Sequence, residues 1–349
     1  MKRHLIKVLG TAVIGMMALT GCGGSDDAST APAGEGQDPV ENTGEEFVIK
    51  IGHIGPPTHS YTLGIEALAE AIEEETNGQV KFEIYPGGQL GGERDMVEQV
   101  QLGSLDMGVY TSAPASNFVK ELAVLDLPMI FRNHQHAYDT LDGEVGQELL
   151  GLIDNAGFKG LAFWENGMRH VITNGVQVRS AEDIKGMKMR AIENDLVLET
   201  YRALGSDPTP IAWPEVHTSL QQGVVDGLDN AYGVIHSTGI YEVQEYLSEV
   251  GLYYAAAVLI MNEDKFNSLP ADIQEVFVRL GQEYAHVQRK MTTDDEEKQK
   301  AELVVLEDGL EILEFDEVDV ESFREAVQPV YDKFGSQFGD LVERIQAVE

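Results

Sequence analysis

The chain has 349 residues, a formal net charge of -36, 43% hydrophobic residues and one cysteine. With 60 acidic side chains against 24 basic ones and no polybasic stripe, the surface repels nucleic acid and anionic lipid, which excludes nucleic-acid binding. A single thiol excludes a disulfide framework, a thiolate metal cluster and dithiol redox chemistry.

At the start of the chain Lys2, Arg3 and Lys7 precede an apolar run from Val8 to Leu19. This is the layout of a secretory signal peptide, and the run is shorter than the about 20 apolar residues that a spanning helix needs. Leu19-Thr20-Gly21-Cys22 follows at once and resembles the lipobox of bacterial lipoproteins. The resemblance implies removal of residues 1–21, a lipidated Cys22 at the new N-terminus, and a protein held to the membrane outside the cytoplasm. Residues 22–46 carry Val40 as their only large apolar side chain after the cysteine, which is too little to bury, so they read as a flexible tether.

From Phe47 the pattern becomes globular, and its length suggests two domains. Phe47 to Gly52 reads as a strand, Leu63 to Glu75 as an amphipathic helix stopped by Asn77-Gly78, and Val80 to Tyr85 as an alternating second strand. Pro86-Gly87-Gly88 makes a turn, and a helix near Glu93 to Leu102 and a strand at Leu105 to Tyr110 complete a β-α-β-α-β series. Such a series predicts a mainly parallel sheet. Past Trp164 the series repeats, with strands near His170 and Lys188, helices from Asp195 and from Pro214, and a strand at Val224 to Leu228. The two halves share Gln-x-Gly-x-x-Asp at one offset: Gln101, Gly103 and Asp106 against Gln221, Gly223 and Asp226. Two lobes of one plan follow.

Sheets of this kind bind ligands in the crevice beyond the carboxyl ends of their strands. That geometry puts Tyr110 to Ser112, with Thr111 between them, at one strand tip and Asp229 to Tyr232, with Asn230 among them, at the equivalent tip of the other lobe, while Arg190 ends the strand Met187-Lys188-Met189-Arg190. An arginine there suits a carboxylate, because its planar fork gives two parallel hydrogen bonds; an ordinary surface ion pair is the alternative. His53 and His59 flank Pro56-Pro57 on a loop that opens on the same crevice, as hydrogen-bond donors to a ligand; their spacing is not that of a zinc site. The glycines at 87–92 lack a following Gly-Lys-Ser/Thr and read as a turn, and no spacing makes Glu165 and Asp229 an acid/base pair. No activated nucleophile, metal constellation or G-x-S-x-G elbow is present, which favours a ligand receptor over an extracellular enzyme; a sensory ligand-binding module on the same scaffold stays open.

The stretches GQVKFEIYPGGQLGGERDMVEQVQLGSLDMG, GMRHVITN, SAEDIKGMKMR and ALGSDPTPIAWPEVHTSLQQGVVDGLDN resemble the extracytoplasmic solute receptors of tripartite ATP-independent periplasmic (TRAP) transporters, of DctP type. The resemblance runs from about Ile49 to the C-terminal helices. It implies an α/β, two-lobed periplasmic-binding-protein-like fold with a central cleft and a long C-terminal helix spanning both lobes. Its expected division is lobe I at 47–166 plus 256–296 and lobe II at 167–255 plus 297–349. It further implies a binding protein without cofactor, metal or catalysis, which closes on a small carboxylate, a C4-dicarboxylate or a sugar acid, and delivers it to TRAP membrane permease subunits driven by an ion gradient. Residue by residue, Arg190 matches the family's carboxylate clamp and Arg169 a second arginine near the ligand. Trp213 matches an aromatic lid, and Asn230 an asparagine at the acid end. Two departures stand out: Ala231-Tyr232 replaces a frequent proline after Asn230, and Thr111 stands where sialic-acid receptors carry glutamate.

Overall fold

The computed structural model describes residues 44, 46–306 and 309–349. The signal segment, Cys22 and nearly all of the tether lie outside the described residues. Among the described residues nine strands form one sheet: β1 (Phe47–Gly52), β2 (Val80–Tyr85), β3 (Met107–Thr111), β4 (Phe158–Thr173), β5 (Lys188–Ala191), β6 (Asp207–Pro210), β7 (Gly227–Asn230), β8 (Tyr246–Asn262) and β9 (Glu311–Leu313). Their order is β2-β1-β3-β8-β4-β7-β5-β6, with β9 on β8. The order is a palindrome of roles: in each half a central strand pairs in parallel with two neighbours, and the next pairing, β3 with β8 or β7 with β4, is antiparallel. The expected mainly parallel sheet is therefore mixed. At the edge, β6 carries Pro208 and Pro210, tolerable there because an edge strand need not donate on its outer side.

β4 and β8 are 16 and 17 residues long, enough at about 3.3 Å per residue to run through both halves as a shared antiparallel ribbon. Their pairing slips between Glu165 and Gly167, where Gly167 adopts φ 124° opposite Ala255. An L side chain would be strained at that φ, so glycine lets the ribbon bend where the halves meet.

The repeated motif does the same work twice. Gly103 and Gly223 end their helices at φ 73° and 66°. Asp106 and Asp226 then accept, through Oδ2 at 2.8 Å in both cases, from the backbone N–H of Lys50 and Lys188 in the neighbouring strands β1 and β5. Each aspartate sets the register of its lobe's parallel pair.

The helix Ala271–Val305 is continuous over 35 residues. Gly281 admits its close approach to β4, since a Cβ there would stand 3.1 Å from that of Leu161. Gln288 clamps the backbone of Glu165 from both sides, accepting at 2.9 Å and donating at 2.7 Å, while Lys300 reaches Glu249 at 2.7 Å on β8 of the other half. The helix thus spans the two halves, as the resemblance implied. The chain then returns: Ala181 N–H donates to Ser322 at 2.9 Å in the second half, and Arg344 pairs with Glu148 at 2.6 Å in the first. The final helix, Leu341–Ala347, which the expected division assigns to lobe II, accordingly rests on the helix Glu144–Asp154 of the first half.

Candidate ligand-binding site

Arg190 is the penultimate residue of β5, before Ala191, with Met189 turned into the core, and it is only 4% exposed. Its Nε donates to the carbonyl of Ile211 at 3.0 Å, which fixes the plane of the guanidinium, and its Cζ lies 5.6 Å from the ring centre of Trp213. The two terminal nitrogens make no hydrogen bond among the described residues. Burial, then the neighbouring Arg169, lower its pKa to about 10, so it is still charged at neutral pH. A buried cation with a free fork is a demand for an anion.

Arg169, on β4 and equally buried, is by contrast engaged. Its Nε donates to Asp229 Oδ2 at 2.5 Å, Nη1 to Asn230 Oδ1 at 3.0 Å and Nη2 to the Asp229 carbonyl. Asp229 also accepts from the Tyr201 hydroxyl. The register of β4 on β7, with Val171 opposite Asp229 and His170 opposite Asn230, delivers these groups to one spot.

Facing them from the other half is Glu93, the first residue of the helix Glu93–Gln101. Its two oxygens accept from the N–H and hydroxyl of Thr111, at 2.7 and 2.8 Å. Burial holds its pKa above the ordinary carboxylate range, against the downward pull of the bonds from Thr111 and the charges of Arg190 and Arg169. Thr111 thus reaches the cleft as the holder of a carboxylate. Tyr110 folds back: its hydroxyl occupies the place a side chain on Gly108 would take, one pleat behind the strand tip.

The two histidines divide similarly. His59 caps the helix Ser60–Glu75, Nδ1 accepting from Tyr61 N–H at 3.1 Å, so that nitrogen is spent on the fold. His53 is fully buried, and both its ring nitrogens lack a partner among the described residues. Burial lowers His53 to about 4 and, helped by His53, His59 to about 3, so both are neutral at pH 7. Beside them the Tyr61 hydroxyl and Asn166 Oδ1 are also buried without partners among the described residues.

The halves touch across the cleft. Asn194, at the end of the β5 loop, donates to Ala113 O at 3.0 Å and Ser116 Oγ at 2.7 Å, and Asn117 donates to Glu193 O at 3.1 Å. On another side, a Cβ on Gly88 would sit 3.4 Å from Pro214 and one on Gly92 3.3 Å from Ala212, so the loop leading into Trp213 lies on the glycine turn. Glu165 and Asp229 have separate partners, Tyr138 and His134 for the first, Arg169 and Tyr201 for the second, and form no acid/base pair. A surface depression of about 720 Å³ lined by Leu220, Tyr241, Gln244 and Glu311 shares no residue with this cluster. Sequence reasoning missed Glu93, Asn194, Tyr61 and Asn166, whose positions depend on contacts between distant segments. Asp229 is expected at the strand tip beside Asn230, but its pairing with Arg169 is not legible in the sequence.

A buried arginine whose terminal nitrogens have no partner among the described residues, ringed by neutral polar groups, makes a site suited to an anionic ligand. Residues 51–337 match the family model DctP, bacterial extracellular solute-binding protein family 7, and the chain belongs to that family. A solute-binding protein of Verminephrobacter eiseniae is 38% identical over 82% of this chain and 85% of its own length. The C4-dicarboxylate-binding periplasmic protein DctP of Rhodobacter capsulatus is 32% identical over 87% and 91%. A TRAP periplasmic solute-binding protein from Polaromonas, solved with bound D-erythronate, superposes with a TM-score of 0.84 at 39% identity, covering 87% of this chain and 99% of that one. The chain is thus a TRAP solute receptor of DctP type, from a family of extracellular binding proteins whose members bind small acids.

Proposed function

We propose that this receptor captures a small organic acid between its lobes and hands it to a TRAP-type permease in the membrane. The observation that carries the reading is Arg190: buried, charged, held in plane by Ile211, stacked near Trp213, and with its fork unpartnered. The carboxylate of the acid takes both terminal nitrogens. Arg169 positions Asn230 and holds Asp229. Trp213 covers the ligand from the second lobe. The lobes meet at Gly167 and Ala255 on the ribbon and near Thr293 on the long helix, and closure bends these three places. Relatives known to bind a C4-dicarboxylate and D-erythronate support the ligand class.

A melting series against a panel of organic acids tests this, because a ligand of the folded state raises the melting temperature with its concentration. At least one acid should do so saturably. A panel without effect at millimolar concentration would contradict the reading. Retention at the membrane is assigned to lipid on Cys22, so Cys22→Ala should leave that melting shift intact and abolish labelling by a fatty-acid analogue; a labelled variant would refute the anchor.

A further inference from the structure

We propose that Glu93 and His53 make the cleft selective for a monocarboxylate bearing hydroxyl groups, and against a dicarboxylate. The inference rests on the capture of an acid by Arg190 and adds what the rest of the cleft does to the ligand's other end.

Hydrogen bonding in the cleft leaves room for one carboxylate. Of the two buried arginines, Arg169 is neutralised by Asp229 at 2.5 Å, and Arg190 alone has no carboxylate bonded to it among the described residues. One ligand carboxylate satisfies it. A second would need another cation, and the remaining groups supply none: His53 and His59 are buried and neutral at pH 7. Facing the arginines is instead Glu93: burial raises its pKa, while the bonds its two oxygens accept from the Thr111 N–H and hydroxyl, with the charges of Arg190 and Arg169, favour the ionised form. A like charge brought against it in a buried site is repelled.

Hydroxyl groups, by contrast, answer what the cleft leaves open. Each oxygen of Glu93 keeps a lone pair for a ligand O–H. His53 offers one ring nitrogen as donor and the other as acceptor, neither used among the described residues. Its ring stands edge-on to that of Tyr61, centres 6.4 Å apart, and the Tyr61 hydroxyl and Asn166 Oδ1 are likewise unpartnered. Tyr61 feels the charges of Glu93 and Arg169 and adjoins Asn166, which ties the neutral groups to the charged ones. Several buried polar atoms lacking partners at one place are costly unless a polar ligand fills them. A ligand with hydroxyls, able both to donate and to accept, serves them all.

Titration calorimetry with hydroxy-monocarboxylates of four to six carbons, erythronate among them, against dicarboxylates of equal length tests the proposal. Wild type should prefer the best hydroxy acid over the best dicarboxylate by about 100-fold or more. Glu93→Gln keeps an acceptor toward Thr111 and removes the charge; it should lower that preference at least about tenfold, by weakening the hydroxy acid and strengthening the dicarboxylate. Wild type binding a dicarboxylate as tightly as any hydroxy acid, with Arg190→Ala losing both, would overturn the selectivity and leave acid capture standing. An unchanged preference in Glu93→Gln would overturn the role of Glu93. If no acid of either class bound wild type, or Arg190→Ala bound as tightly, acid capture itself would fall and the selectivity with it.

Discussion

Arg190 and Arg169 have almost the same burial and opposite circumstances, and their partners explain the difference. Truncating Arg169 leaves Asp229 buried without its cation, so Arg169→Ala should destabilise the protein by about 3 to 5 kcal/mol in a urea titration, with lost binding secondary to that. A stability within about 0.5 kcal/mol of wild type would show that Asp229 does not depend on it. Asp126 gives a pH-dependent test. Its Oδ1 accepts from Ser112 at 2.6 Å, its Oδ2 has no partner among the described residues, and burial raises its pKa from 3.8 to about 7. The folded state therefore holds this proton more tightly than the unfolded one. Its stabilisation is complete below about pH 4 and is lost as pH rises through about 7. Asp126→Asn cannot ionise, so its stability relative to wild type should climb between pH 4 and 8 by up to about 4 kcal/mol, at 1.36 kcal/mol per unit. An offset constant over that range would contradict the assignment.

Among the elements, the helix Asp195–Ala203 joins folding to closure through one cap. Asn194 Oδ1 accepts from Leu196 and Val197 N–H at 2.8 and 3.1 Å, while its Nδ2 bonds across the cleft to Ala113 and Ser116. Asn194→Asp keeps the capping oxygen and removes the cross-cleft donor. Melting of the ligand-free protein should change little, because aspartate caps as well as asparagine, whereas affinity should fall about 5- to 10-fold as the closed form loses its bond. Equal affinity would show that the contact does not favour closure. Short, alternating or capped elements were legible beforehand: β1 and β2 fall on their predicted bounds, and Gln-x-Gly-x-x-Asp announced the duplication. The ribbon strand β8 was not, because Leu252 to Met261 is a continuous apolar run rich in alanine, buried on both faces, and such a run has no period to read. β7 begins at Gly227, later than expected, since Asp226 is spent on register with Lys188. In the site, Arg190 was visible as a charge ending an apolar strand, but Glu93 looked like any acid opening a helix. Only the fold brings Thr111 to it from 18 residues away.

For the whole molecule, closure is an equilibrium that a ligand shifts only by touching both lobes. Arg190 and Trp213 belong to one lobe, Glu93 and His53 to the other, so an acid spanning them binds the closed form better. Small-angle scattering should report a smaller radius of gyration with the acid bound than without it, and an identical profile at saturation would argue against bending at Gly167. With a net charge of -36, the anion enters against the field of the whole surface. Added salt should therefore speed association by screening that field. The central claim is that one buried guanidinium holds the carboxylate, and calorimetric titration of the tightest acid into wild type and Arg190→Ala tests it most directly. The account predicts a loss of about 2 to 5 kcal/mol in binding free energy, with Arg190→Lys recovering only part because a point charge cannot replace the fork. Wild-type affinity in a folded Arg190→Ala protein would contradict it.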